Sequence, residues 1–272
     1  MRTSRVTIGP VPMDAVTHAE ALRTIDRLVA AGRGGFVVTP NVDHIVLATH
    51  DARLREAYSR ASLSLADGQP VLWMARLLGT PLPEKVCGSD LIEPLMKRAA
   101  ERGWNVFFVG ATPEVSAEAE RRLLRRYPSL RIVGRDTSRW SPDEPVAAGG
   151  SEVSKRIRES GAHLVVVALG CPKQERWMLR HERDIVPAVA LGLGGSLDFM
   201  AGAVPRAPKW MSRVGLEWAY RLAQEPRRLA YRYLVRDPQI VPIFAATWYR
   251  TWTSRWRRAV REDAMAPARR AS

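Results

Sequence analysis

The chain has 272 residues, 46% of them apolar, with a formal charge of +14; that is enough to bury a full core. Its two cysteines, Cys87 and Cys171, form no CxxC and no Cys/His cluster of zinc spacing, so we expect a reducing compartment. The first residues, MRTSRVTIGPVPMD, lack the apolar run of a signal peptide, and no stretch reaches the roughly 18 uninterrupted apolar residues that spanning needs.

Short apolar runs alternate with helical patterns along the chain. Phe36-Val37-Val38 is followed by Thr39-Pro40-Asn41, and Val42 to Arg60 reads as one helix. Leu63 to Ala66 runs into Asp67-Gly68. Val106 to Val109 stops at Gly110, after which Thr112-Pro113 opens a helix with a cap residue and proline at its first position. Arg131 to Val133 stops at Gly134, and Ser141 to Gly150 reads as a surface loop. Leu164 to Leu169 stops at Gly170, with Pro172 opening the next helix, and Ala188 to Leu191 stops at Gly192. Such alternation predicts an α/β fold: βαβ units and a mostly parallel sheet flanked by helices, with right-handed crossovers.

Ligands of such sheets bind beyond the carboxyl ends of the strands. Thr39, Asn41, Asp67, Lys173, Gln174 and Asp198 all fall at such ends, and the coincidence predicts a site there. Taken singly they have plainer readings. Asn41 and Asp43 suit helix caps, Asp67 before Gly68 suits a turn, and Gln174 and Glu175 suit a first helical turn. Gly192-Leu193-Gly194-Gly195 has Leu197 where a dinucleotide fingerprint needs its third glycine, so close backbone approach to a ligand, or a tight turn, fits better than NAD.

The charge is local. Arg206 to Ser272 carries 15 Lys or Arg against 5 Asp or Glu, which is +10 of the +14. We therefore expect a body over residues 1–205 and a basic, aromatic-rich helical appendage over 206–272. Crowded arginines call for an anionic partner, and guanidinium groups fork onto phosphate oxygens. Pro226 starts a new helix, so Arg221 and Arg228 need not share a face, while Glu217, Arg221 and Glu225 are spaced four apart as a ladder. Further on, Ile240, Phe244, Trp248, Trp252 and Trp256 recur every four residues, with Arg250, Arg255, Arg257, Arg258 and Arg261 between and beyond them. This predicts a helix lying on an anionic membrane surface; packing of its tryptophans on the body is the competing reading. After Glu262 we expect disorder.

Ordered along most of the chain are TPNVDHIVLA from Thr39, LADGQPV from Leu65, KVCGSDL from Lys85, FFVGATPE from Phe107, YPSLRIVG from Tyr127, ALGCPKQERW from Ala168, GLGGSLDFMAGAVPRAPKW from Gly192 and GLEWAYRLAQEPRRLAYRY from Gly215. Together they resemble the WecG/TagA/CpsF family of bacterial glycosyltransferases, over roughly Thr39 to Tyr233. The resemblance implies inverting, metal-independent transfer of N-acetylmannosamine, its uronic acid, glucuronic acid or a similar sugar. The donor would be a UDP-sugar and the acceptor a polyprenyl-diphosphate-linked saccharide, for teichoic acid, common antigen or exopolysaccharide. It also implies a Rossmann-like body whose C-terminal appendage completes the active site at the membrane, on the cytoplasmic face, with no cofactor, no nucleic acid, and members that can self-associate.

Carried over by motif, Asp67 is the general base. Thr39 and Asn41 lie beside it, Gln174 meets the substrate, and Arg221, Arg228 and Arg232 reach the diphosphate; Gly192 and Gly194, from the reading of the glycine loop above, are expected to approach the substrate through their backbone. Lys85 stands where the family commonly has arginine, which keeps the charge and loses the bidentate fork. The chemistry suits these residues. A strand-end aspartate in a closed pocket loses hydration, which raises its pKa toward that of a useful base. The chain has no D-x-D to hold a divalent cation, so arginines and backbone amides must meet the leaving diphosphate. Two other classes remain on the residues alone. A nucleic-acid-binding protein would use the basic helices but leaves Thr39, Asn41 and Asp67 unexplained. A nicotinamide dehydrogenase is weakened by the broken glycine fingerprint.

Overall fold

The computed structural model describes residues 4–138, 140–141 and 150–265. It opens with a hairpin, β1 (Arg5–Ile8) and β2 (Val11–Asp14), then α1 (His18–Ala31), β3 (Gly35–Val38), α2 (Val42–His50) and α3 (Ala52–Arg60). There follow β4 (Leu63–Ser64), α4 (Gln69–Leu77), α5 (Gly88–Arg102), β5 (Asn105–Gly110), α6 (Pro113–Arg126), β6 (Arg131–Asp136) and α7 (Gly150–Glu159). The body ends with β7 (Leu164–Ala168), α8 (Lys173–His181), β8 (Val189–Gly192) and α9 (Ser196–Ala201). The appendage holds α10 (Lys209–Arg213), α11 (Glu217–Gln224), α12 (Pro226–Tyr231) and α13 (Ile240–Met265), with a π-type turn over Arg232–Arg236 before the last.

The main sheet has six strands in the order β4-β3-β8-β7-β5-β6, all parallel. Residues alternate between its two apolar layers, as the period of two requires. Phe36 and Val38 enter one layer and Val37 the other; Phe107 and Val109 enter one, Val106 and Phe108 the other. Helices cover both faces, which explains why the strands read as continuous apolar runs.

Local signals act as expected at several ends. Thr17 and Glu20 form a reciprocal capping box on α1, and Thr112 caps α6 with Pro113 behind it. Other expectations are corrected. The single helix expected over 42–60 breaks at Asp51, whose side chain accepts the Leu54 N–H to start α3 and also pairs with Arg176 at 2.6 Å. Gly134 does not end β6, which runs to Asp136; the bare glycine instead leaves room for the Phe107 ring. Helix α13 continues through Met265, beyond the disorder expected after Glu262. The loop expected at 141–150 and the final residues lie mostly outside the described residues. No described helix is long and apolar enough to cross a membrane.

Candidate active site

Four adjacent strands, β4, β3, β8 and β7, deliver their following loops to one cavity of about 900 Å³ beside the appendage. The expected site residues line it except Lys173, which is exposed at the start of α8, and Gly192, which is buried.

Asp67 follows the short β4. Backbone bonds continue past the strand: Leu65 N–H donates to Val38 O at 2.8 Å and Asp67 N–H to Pro40 O at 2.9 Å. This ladder fixes the aspartate at the cavity floor. Loss of hydration pushes its carboxyl pKa up to about 6. A hydrogen bond from Cys87 and the charge of Lys85 oppose the rise, while Glu217 and Asp90 add to it. A carboxyl so tuned is half-ionised near pH 6 and mostly ionised at neutral pH, as a general base requires.

Thr39 and Gln174 brace the glycine loop after β8. Thr39 Oγ1 donates to Gly192 O at 3.0 Å, and Gly194 N–H donates to Gln174 Oε1 at 3.0 Å. Gln174 Nε2 donates in turn to Glu175 Oε1 at 2.8 Å. Both ends of the Gln174 amide are thus engaged inside the protein. A side chain at Gly192 would come within 2.6 Å of Met178 Cε, and Gly194 sits at φ +52, so these glycines serve packing and a turn.

Behind the brace is a buried polar cluster that sequence reading passed over. His44 Nδ1 is hydrogen-bonded to the Tyr58 hydroxyl at 2.8 Å and lies 3.9 Å from Glu175 Oε1. Burial pushes the His44 pKa down to about 3 and the Glu175 pKa up to about 7. The imidazole is therefore neutral at physiological pH, and its contact with Glu175 is not an ion pair. His44, Cys171 and Glu175 bring metal-ligating atom types within 4.8 Å of one another. Tyr58 and Gln174 already occupy two of those three side chains, so the geometry fits a hydrogen-bonded brace.

The appendage supplies the rest of the lining. Glu217, Arg221 and Glu225 all line the cavity, as their four-residue spacing suggests, and α12 adds Arg228. The Arg221 guanidinium stands 5.6 Å from the Phe199 ring centre, and its Nε is buried without a hydrogen-bond partner. Arg228 pairs with Glu225. Arg232 Nε lies 3.3 Å from Asp43 Oδ2, its terminal nitrogen donates to Asn41 Oδ1 at 3.4 Å, and Arg236 also pairs with Asp43. Asn41 does cap α2 through the His44 N–H, whereas Asp43 serves as an anchor for two appendage arginines. Lys85 Nζ donates to Ser212 Oγ at 2.7 Å and lies 3.7 Å from Glu217. Most cations of the cavity are held by carboxylates: Lys85 by Glu217, Arg228 by Glu225, and Arg232 and Arg236 by Asp43 in the first turn of α2.

The expected aromatic band of α13 divides. Ile240 and Phe244 pack against the core with Ile243, and Thr247 accepts the Gly9 N–H at 3.0 Å. Trp248, Trp252 and Trp256 remain exposed, so packing of these tryptophans on the body is not what the fold adopts.

Residues 6–254 match the family model described as "Glycosyl transferase WecG/TagA/CpsF family". The chain is also similar to an N-acetylglucosaminyldiphosphoundecaprenol N-acetyl-beta-D-mannosaminyltransferase of Bacillus spizizenii, 35% identical over 209 residues. That alignment covers 77% of this chain and 78% of the relative.

Proposed function

This chain belongs to the WecG/TagA/CpsF family of glycosyl transferases, and from that premise we propose that it moves an N-acetylmannosamine-type sugar from a UDP-sugar to a polyprenyl-diphosphate-linked saccharide with inversion. The relative's name supports a mannosamine donor sugar and a diphosphoundecaprenol acceptor. The observation that carries the reading is the cavity itself. Its lining brings Asp67, a carboxyl tuned to about 6, together with Arg221 and Arg228 of the appendage.

In the proposed step the acceptor hydroxyl attacks the anomeric carbon while Asp67 takes its proton. The bond from that carbon to the diphosphate oxygen breaks, and UDP leaves with its new negative charge facing the arginines. Arg221, whose Nε is buried and unmatched, is suited to this task. Lys85 would add a point charge from the body side. Thr39 and Gln174 act through the glycine loop that they hold. Residues 206–272 serve as an appendage that completes the site and rests on the inner face of the cell membrane.

Donor screening by UDP release, with a lipid-diphosphate acceptor analogue, tests this. We expect turnover with UDP-N-acetylmannosamine. Absence of UDP release with every UDP-sugar tried, in the presence of acceptor, would sink the reading.

A further inference from the structure

Helix α4 leads directly away from Asp67-Gly68, and it is amphipathic in an unexpected sense. Val71, Met74, Ala75 and Leu78 enter the core. Its other face carries Trp73, 46% exposed, and Leu77, 67% exposed, with the exposed Arg76 between them. Residues four apart share a helix face, so Trp73 and Leu77 form one apolar strip pointing out of the body. The appendage borders the strip: a side chain at Gly215 would meet the Trp73 ring at 2.8 Å, and Val214 and Leu216 beside it are exposed.

Helix α13 meets the far end of α4. Arg255 donates to Gly79 O at 3.3 Å. At 3.6 residues per turn, Arg255 projects between the core-facing stripe of Ile240, Phe244 and Thr247 and the flank of Trp248, Trp252 and Trp256. The end of α4 therefore lies on the tryptophan side of α13. Two exposed apolar strips, one from the body and one from the appendage, thus neighbour one another at the Arg255–Gly79 contact, with Arg76 beside Leu77.

We propose that Trp73 and Leu77 of α4 form a body-side contact with an anionic lipid bilayer, continuous with the tryptophan flank of α13. This rests on the reading of α13 as an interfacial helix. A bilayer fits better than a second copy of the chain, because the appendage that borders the strip carries +10 and would repel its like. Tryptophan at headgroup level with interleaved arginines is the pattern that anionic lipid surfaces favour. The contact would set the height of Asp67 over the lipid, since α4 rises only about 13 Å from the residue after it.

The test uses the full chain and vesicles of phosphatidylglycerol and phosphatidylcholine. An environment-sensitive fluorophore is attached at Leu77→Cys, with Glu101→Cys on α5 and the equally treated unsubstituted chain as controls. We expect a blue shift at position 77 on adding vesicles and none at 101. Leu77→Glu should lower vesicle partitioning about tenfold, the loss that burial of one leucine implies. Vesicle-bound protein with a water-like signal at position 77 overturns this proposal and leaves the α13 reading standing. Protein that fails to bind vesicles overturns both. A blue shift that follows protein concentration without vesicles assigns the strip to a second copy and also overturns it.

Discussion

Gln174 holds Gly194: its side-chain oxygen accepts the Gly194 N–H at 3.0 Å while its nitrogen donates to the buried Glu175. The residue therefore shapes the glycine loop from behind. Replacing it with leucine strands the Gly194 N–H and the Glu175 carboxyl, which costs about 1–3 kcal/mol. For Gln174→Leu we expect a lower Tm and a raised donor KM, with kcat changed less. A pure kcat loss at unchanged KM and Tm would instead indicate direct contact with the reacting atoms.

Asp67 carries a pKa raised from 3.8 to about 6, so folding favours its protonated form. That contribution to stability is complete below pH 3.8 and is lost as pH rises through about 6. At pH 7.5, Asp67→Asn should then raise stability by up to about 2–3 kcal/mol while cutting transfer at least about 100-fold. In the parent enzyme, kcat/KM should fall tenfold per unit below about pH 6. Thermal melts at pH 5 and 7.5, beside the rate profile, check both; equal melting of the two proteins at pH 7.5 contradicts the assignment.

Arg221 and Arg228 approach the cavity from separate helices, α11 and α12. Each alanine substitution should lower kcat at saturating donor by about 100- to 1,000-fold, the range for removal of one charge-stabilising donor. Arg228→Lys keeps the charge without the fork and should fall between. A chelator should leave the parent rate unchanged. Unaltered kcat in both alanine variants would remove the arginines from the chemistry.

Asp43 is buried against Arg232 and Arg236 and ties the appendage to α2. Removing one partner of a buried ionic cluster costs about 3–5 kcal/mol. Because the arginines are on the appendage, we expect Asp43→Ala to loosen that part first. Limited trypsin digestion should show faster cleavage between 206 and 240 than in the parent chain. An unchanged digestion pattern contradicts the anchoring role.

Trp252 and Trp256 are exposed on α13, whereas Ile243 and Phe244 on the same helix are core contacts. Truncation after Tyr233 would strip that core, so point substitution is the cleaner test. Trp252→Ala with Trp256→Ala should weaken flotation with anionic vesicles while leaving Tm within about 1 °C, since both are surface positions. Undiminished flotation would take the membrane role away from this flank.

The parallel sheet and the place of the candidate site on it were legible in the sequence. Apolar runs ending in glycine or Thr-Pro-Asn are local signals, and ligands gather at the ends of such strands, so Thr39, Asn41, Asp67 and Gln174 could be placed at one edge from their position alone. The ordered motifs named the family for the same reason. Roles that depend on distant partners were not legible. Gln174 had no visible reason to brace Gly194 rather than face substrate, and Asp43 reads as a cap until Arg232, 189 residues later, folds onto it. Periodicity alone could not divide the band of α13, because an apolar stripe records that a face is covered and says nothing of whether core or lipid covers it. The strip of Trp73 and Leu77 sits in an ordinary helical pattern; only packing, which turns Val71 and Leu78 inward and brings Gly79 under Arg255, left it facing out.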